Sequence, residues 1–255
     1  MRHYSLKEKL QAGETVFGSF VSMPEPSMVE AIGLAGYDFV LIDMEHTAID
    51  FKALLRMLMA ADAASTTPIV RVGTVDPNPI LRVLDSGAAG VVAAHVQSAS
   101  QAESLVQACR YPPEGHRGVS GASRAAGYGA HLFREHAVQS NREVLTVALI
   151  EDVAGVEAIE EIAAVPGLDI LLPGSGDLSA SLGLLGQPDH PAVQAAVNRI
   201  VQAVRSHPHL RLGFHIMHPS EMERCRDLGA TFIVYSQDSR ILFQAYRDAL
   251  SHMRN

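Results

Sequence analysis

Asp43, Glu45 and His46 fall within four positions of one another, directly after the apolar run 39–42. Two carboxylates and an imidazole offer oxygen ligands, acceptors for bound water, and a base that titrates near neutrality, since free imidazole has a pKa of about 6.5. The pairing of an apolar run with ionisable groups recurs down the chain. His95 and Gln97 end "GVVAAHV", Glu151 and Asp152 follow "VLTVALI", and Asp177 follows "LDILLP". His215 and His218 fall in "LRLGFHIMH", and Ser236, Gln237 and Asp238 close "TFIVYS" and its continuation. Arg71 lies inside "PIVRV". An arginine there is costly unless it meets an anion, and its planar fork suits a carboxylate. An internal ion pair with Asp43 or Glu45 is the plainer alternative.

Glu151 and Asp177 are the best candidates for metal ligands, because hard divalent cations take carboxylate oxygens and Mg²⁺ keeps several waters beside one or two of them. Asp177 has a competing role as a helix cap within "GDLSAS". His46 is the candidate base, with Asp43, Glu45 or Asp85 to orient its ring. Gly174, Ser175 and Gly176 precede a helix, and backbone amides in that position can hold a small carboxylate. "HIMH" lacks the i, i+4 spacing of a helical zinc site. Cys109 and Cys225 have neither disulfide nor zinc spacing, read as core, and point to a reducing compartment.

These groups need elements that bring strand ends together. Eight β-rich runs (16–21, 38–43, 68–72, 90–96, 144–150, 168–173, 210–216 and 231–236) alternate with segments whose apolar residues recur every three or four positions. Near-continuous apolar strands between helices imply a parallel sheet covered on both faces. Eight units in 255 residues predict a (β/α)8 TIM barrel, one α/β domain spanning 1–255, in preference to an open doubly wound sheet. Barrel sites assemble at the carboxyl ends of the strands, where the ionisable groups fall. The longest irregular stretch, 112–132, is rich in glycine and arginine, and its length predicts a functional or mobile loop.

Composition narrows the partners. The formal net charge of −8 disfavours nucleic acid and anionic membranes. No run approaches the ~18 apolar residues of a membrane span. The N-terminal "MRHYSLKEKLQAGE" has no secretory apolar core, so the expected location is cytoplasmic.

Taken together, "LIDMEH", "PIVRV", "ILRVLDSGAAGVVAAHV", "RYPPEGHRGVSG", "LIED" and "GDLSASLGLLGQPDHPAVQAA" resemble the HpcH/HpaI aldolase family, the metal-dependent class II pyruvate aldolases, over roughly residues 14 to 250. The resemblance implies a (β/α)8 barrel with its last helix exchanged between subunits, in a homohexamer. It implies reversible retro-aldol cleavage of a 4-hydroxy-2-oxo acid to pyruvate and an aldehyde, with Mg²⁺, Mn²⁺ or Co²⁺ stabilising the enolate. In those terms Glu151 and Asp177 match the metal ligands, and Arg71 the arginine at the keto oxygen. His46 with Asp85 matches the base dyad, Asp43 and Glu45 the carboxylates around bound water, and Gly174, Ser175 and Gly176 the cradle for the pyruvate carboxylate. The lysines are Lys7, Lys9 and Lys52, none at a strand end, which argues against a Schiff-base aldolase. Leu149 replaces a glutamine common in the family, Ala94 a proline, and "LPGSGDLS" a glycine-proline form. These departures bear on the aldehyde half of the reaction. Oxaloacetate decarboxylation or another 2-oxo-acid or hydroxy-acid lyase activity on the same scaffold is the alternative, and a non-catalytic barrel a more distant one.

Overall fold

The computed structural model describes residues 6–254. Its eight strands are β1 (Val16–Val21), β2 (Phe39–Asp43), β3 (Thr67–Val72), β4 (Gly90–Ala93), β5 (Leu145–Ile150), β6 (Ile170–Pro173), β7 (Arg211–Ile216) and β8 (Ala230–Gln237). Each pairs in parallel with the next, and β8 returns to β1. The closed ring excludes the open sheet.

Side chains alternate across a strand with a period of two, and that period builds two cores. One phase fills the lumen: Phe39 and Leu41, Ile69, Val92, Val147 and Leu149, Ile170 and Leu172, Phe232 and Val234. Phe39 stacks on Phe232 with ring centroids 4.3 Å apart. The other phase, including Val40, Ile42, Val70, Val91 and Ala148, packs outward against the helices. Each fully buried Val, Leu or Ile contributes about 1.5–3 kcal/mol, so strands apolar on both faces are stable only between lumen and helix layer. The first helix, α1 (Leu6–Gln11), sends Leu6 and Leu10 into the lumen cluster and plugs its floor.

The connecting helices leave from the strand-exit face, and α3 and α4 do so on side-chain-capped N-termini. Asp50 accepts from the Ala53 amide at 2.7 Å to start α3 (Phe51–Ala63), and Asp76 precedes Pro77 at the start of α4 (Pro77–Asp85). α2 is Pro26–Leu34 and α5 is Ala99–Cys109. Every such helix runs back to the face where strands begin, so Asp85, the last residue of α4, ends up far from His46.

The stretch 112–132 also lies at the strand-entry face, between α5 and α6 (Phe133–Glu143). It does not lie over the strand-exit mouth of its own barrel, and its arginines are tied to neighbouring helices. Arg117, 3% exposed, donates to Asp85 at 2.8 Å and to Ser140 at 3.1 Å, and stacks over the Tyr111 ring. Arg124 grips the Asp62 carboxylate and the Ser86 carbonyl. Its arginines close off the acidic ends of α3 and α4.

Beside Arg117 the His136 ring is buried, with Nε2 3.3 Å from the Tyr111 hydroxyl and Nδ1 without a partner. Burial first, and the Arg117 charge second, hold its pKa below the ordinary value. A histidine kept neutral by folding favours the native state above its unfolded pKa. That stability is lost as pH falls through about 6.5, where the unfolded chain takes up the proton first, at up to ~1.4 kcal/mol per pH unit. Thermal melts between pH 7 and 5 should therefore show a smaller loss of Tm in His136→Gln than in the parent.

The remaining helices are α7 (Val153–Glu157), α8 (Ile159–Ala163), α9 (Ser175–Ser181), α10 (Pro191–Arg205), α11 (Met222–Leu228) and α12 (Asp238–Arg254). In α12 only Asp238 is buried, while Phe243, Tyr246, Leu250 and Met253 are exposed along one stripe. Among the described residues, no helix is long and apolar enough to cross a membrane.

Candidate active site at the strand-exit mouth

A cleft of about 740 Å³ opens over the carboxyl ends of the strands. The lumen phase runs into it: Phe39–Leu41 leads to Asp43, Ile69 to Arg71, and Val147–Leu149 to Glu151. Hydrocarbon below and charge above is therefore one periodic pattern read past the end of the core.

Asp43 and Arg71 are register partners on β2 and β3. Arg71 donates from Nε to Oδ1 at 2.9 Å and from Nη2 to Oδ2 at 2.8 Å, a bidentate fork. Asp43 is 1% exposed. Burial pushes its carboxyl up, but the Arg71 fork and charge, with the Glu45 and His46 amides, outweigh that and hold it below the ordinary carboxylate range. Arg71 Nε is also 3.2 Å from Glu45 Oε2, and its guanidinium lies over the Phe20 ring. Nη1 makes no hydrogen bond, and Arg71 lines the cleft.

Glu151, 3% exposed, accepts from the His95 amide at 2.9 Å. Burial, with Asp177 and Glu45 nearby, pushes its carboxyl up to about 7 against the opposing pull of His95. Gly174 is required beside it, because a Cβ there would lie 2.8 Å from Glu151 Oε2. Asp177, exposed in the first turn of α9, lines the same cleft, and no side chain caps that helix. The capping role open to Asp177 is thus not taken up.

His46 stands at the rim, its side chain 61% exposed and Nε2 3.7 Å from Glu45 Oε2. It does not meet Asp85 within the chain. α4 carries Asp85 to the opposite end of the barrel, where Arg117 holds it. His215 packs edge-on against Phe20, and His218 caps the turn at Pro219 with Glu221. Neither joins a metal cluster, and both cysteines are buried.

The donor set fits a divalent cation. Glu45, His95 and Glu151 each offer a ligand atom, all within 4.8 Å of one another. Glu45 Oε2 is shielded from solvent without a hydrogen bond, and the buried Glu151 carboxylate lacks a full counter-charge. Both defects are relieved by a cation.

The family model for the HpcH/HpaI aldolase/citrate lyase family matches residues 17–245. The chain belongs to that family. It is 38% identical over 256 residues to a hydroxypyruvate/pyruvate aldolase of Paraburkholderia phytofirmans, covering 98% of this chain and 97% of the relative. It is 36% identical over 234 residues to a 5-keto-4-deoxy-D-glucarate aldolase of Klebsiella pneumoniae, covering 91% of this chain and 90% of the relative. The crystal structure of an HpcH/HpaI family protein from Burkholderia cenocepacia superposes with a TM-score of 0.94 at 34% identity, over 99% of this chain and all of that one. The chain is a carbon–carbon lyase of the aldolase type, on the barrel that its sequence predicts.

His95 and Asp152 complete the cluster; the sequence places both among the strand-end groups but assigns neither a role. In period two, Ala94 takes the lumen phase and His95 points away. The backbone at His95 is left-handed, φ 55°, and its ring lies against the Glu45, Glu151 and Asp152 carboxylates. No residue pattern announces that turn.

Proposed function

We propose that the chain cleaves a 4-hydroxy-2-oxo acid reversibly to pyruvate and an aldehyde. The observation that carries this reading is Arg71, held by Asp43 through Nε and Nη2, lining the same cleft as buried Glu151. Glu151 and Asp177 would hold Mg²⁺, Mn²⁺ or Co²⁺, which would supply Lewis acidity to the bound 2-oxo acid. Arg71 Nη1 donates to the keto oxygen and stabilises negative charge as it develops there. The amides at Gly174, Ser175 and Gly176 hold the pyruvate carboxylate, with Gly176 open to the approach. Asp43 and Glu45 orient water and keep Arg71 in register.

His46 takes the proton of the 4-hydroxyl as the bond between C3 and C4 breaks. The aldehyde leaves, its electrons remain on the enolate of pyruvate, and protonation of the methylene carbon completes the turnover. Incubating the loaded enzyme with 4-hydroxy-2-oxo acids and following pyruvate with lactate dehydrogenase tests the reading; no pyruvate from any of them contradicts it.

The same enolate arises from oxaloacetate by loss of CO₂, which supports decarboxylation as a second activity. Oxaloacetate has no hydroxyl proton to remove. His46→Ala should therefore lower aldol cleavage by ~10²–10⁴-fold and leave decarboxylation close to the parent rate, measured side by side.

The partner expected in solution is a second copy of the chain, assembled to a hexamer. The apolar stripe of α12 supports this, since a helix with one buried residue gains stability only by packing elsewhere. A dyad between His46 and Asp85 also requires a second copy. Tyr246→Glu should shift the light-scattering mass towards the monomer.

A further inference from the structure

We propose that His95 is a nitrogen ligand of the divalent cation, oriented by Asp152, so that the centre is a mixed nitrogen–oxygen site. The inference rests on the reading that this cleft holds a divalent cation at Glu151 and Asp177; it adds His95 and turns Glu45 from a water-orienting neighbour into a ligand of the same ion. Its basis is geometric. His95 Nδ1 lies 2.9 Å from Asp152 Oδ2 and 3.4 Å from Glu151 Oε1; a carboxylate only accepts, so Nδ1 carries the proton, and a neutral ring presents its Nε2 lone pair to the ion. Nε2 is 3.5 Å from Glu45 Oε1, a spacing that two ligands of one ion adopt when each lies about 2.0–2.2 Å from it. Glu45, His95 and Glu151 are the only group of that kind among the described residues. The His95 amide meanwhile donates to Glu151 Oε1 at 2.9 Å, so one residue both orients the carboxylate ligand and supplies its own.

The backbone supports a specific role. His95 is one of four non-glycine residues with positive φ among those described, a conformation that costs of order 1–3 kcal/mol and persists where the surroundings impose it. Here it turns the ring from the helix side of β4 towards Glu45. The carboxylate–imidazole pair that results is the outer-shell arrangement usual for metal-bound histidine. Imidazole shifts preference from Mg²⁺ towards Co²⁺, because borderline cations favour nitrogen while Mg²⁺ and Mn²⁺ favour oxygen.

The test uses full-length protein stripped with EDTA and reloaded with Mn²⁺. Pulsed electron paramagnetic resonance reads nitrogen-14 coupling to the bound ion, independently of activity. The expected result is directly coordinated imidazole nitrogen in the parent, lost in His95→Gln while Mn²⁺ still binds through the carboxylates. Asp152→Asn should retain the coupling and weaken Mn²⁺ by ~10–100-fold. Co²⁺ should bind His95→Gln at least about tenfold more weakly than the parent, with Mg²⁺ affinity little changed. Bound Mn²⁺ without nitrogen coupling in the parent overturns the inference, and needs no variant to fold. Coupling that survives in His95→Gln overturns it too, by assigning the nitrogen to another histidine of the cleft. A parent protein that binds neither Mn²⁺ nor Co²⁺ removes the metal reading itself, an outcome distinct from the other two.

Discussion

Glu151→Gln is expected to abolish tight divalent-cation binding and to lower aldol cleavage by at least ~10³-fold, since Lewis-acid stabilisation supplies several kcal/mol of the barrier. The substitution preserves volume, and the new amide oxygen can still accept from the His95 amide, which reaches Oε1 at 2.9 Å. What disappears is the anionic charge. In the metal-free protein that charge is a burden, because the carboxylate is 3% exposed and its carboxyl is pushed up to about 7, foremost by burial. Removing a buried charge that lacks a counter-ion relieves desolvation. The metal-free variant should therefore melt at or above the temperature of the metal-free parent, while losing the rise in Tm that added Mn²⁺ or Co²⁺ gives the parent. Calorimetry with and without metal separates the two effects. A variant that binds metal normally, or that simply unfolds, contradicts the assignment.

Arg71→Lys carries the second large effect, and the fork to Asp43 sharpens what it should look like. Lysine keeps the charge and loses both the bidentate geometry and the second face turned to the cleft. Asp43 sits under 2% exposed at 1%, so weakening its partner should cost stability, though less than the ~3–5 kcal/mol of deleting one member of a buried pair. Independently, the loss of an oxyanion donor is worth ~10²–10³-fold in rate. Rates per folded molecule, taken well below the lowered Tm, distinguish the contributions. Both pyruvate proton exchange and aldol cleavage should fall, because both pass through the enolate. A variant that melts early yet turns over normally would leave Arg71 as a structural counter-ion. One with normal exchange and defective cleavage would move it to the aldehyde end.

The sequence carries the barrel plainly, and the reason is physical. Strands buried on both faces must be apolar throughout, so runs such as 16–21 and 210–216 stand out and match the observed β1 and β7 to within a residue. The lumen phase then names Asp43, Arg71 and Glu151 without further information, since period two continues past the last hydrophobic layer. Asp177 is reached less directly, because it lies four residues beyond β6 in a helix turn. His95 escapes the same rule, for its left-handed φ breaks the period. Asp85 shows the converse difficulty: a motif match places it beside His46, while helix direction sends it to the other face. That direction follows from any βαβ unit, so its distance from His46 within one chain was legible from order alone. The placement of the glycine- and arginine-rich stretch 112–132 is not legible from its composition. Its arginines answer Asp62 and Asp85 at helix ends, partners that no local window contains.

Deuterium exchange into the pyruvate methyl group tests the central claim most directly, because it needs the metal, Arg71 and a base but no aldehyde. EDTA-stripped protein is incubated with pyruvate in D₂O, before and after reloading with Mg²⁺, Mn²⁺ or Co²⁺, and the methyl signal is followed by proton NMR. No enzyme-dependent exchange is expected in the stripped protein, with exchange restored after reloading and none restored in Glu151→Gln. Exchange that proceeds equally with and without metal, or that no metal restores in the parent, would contradict it.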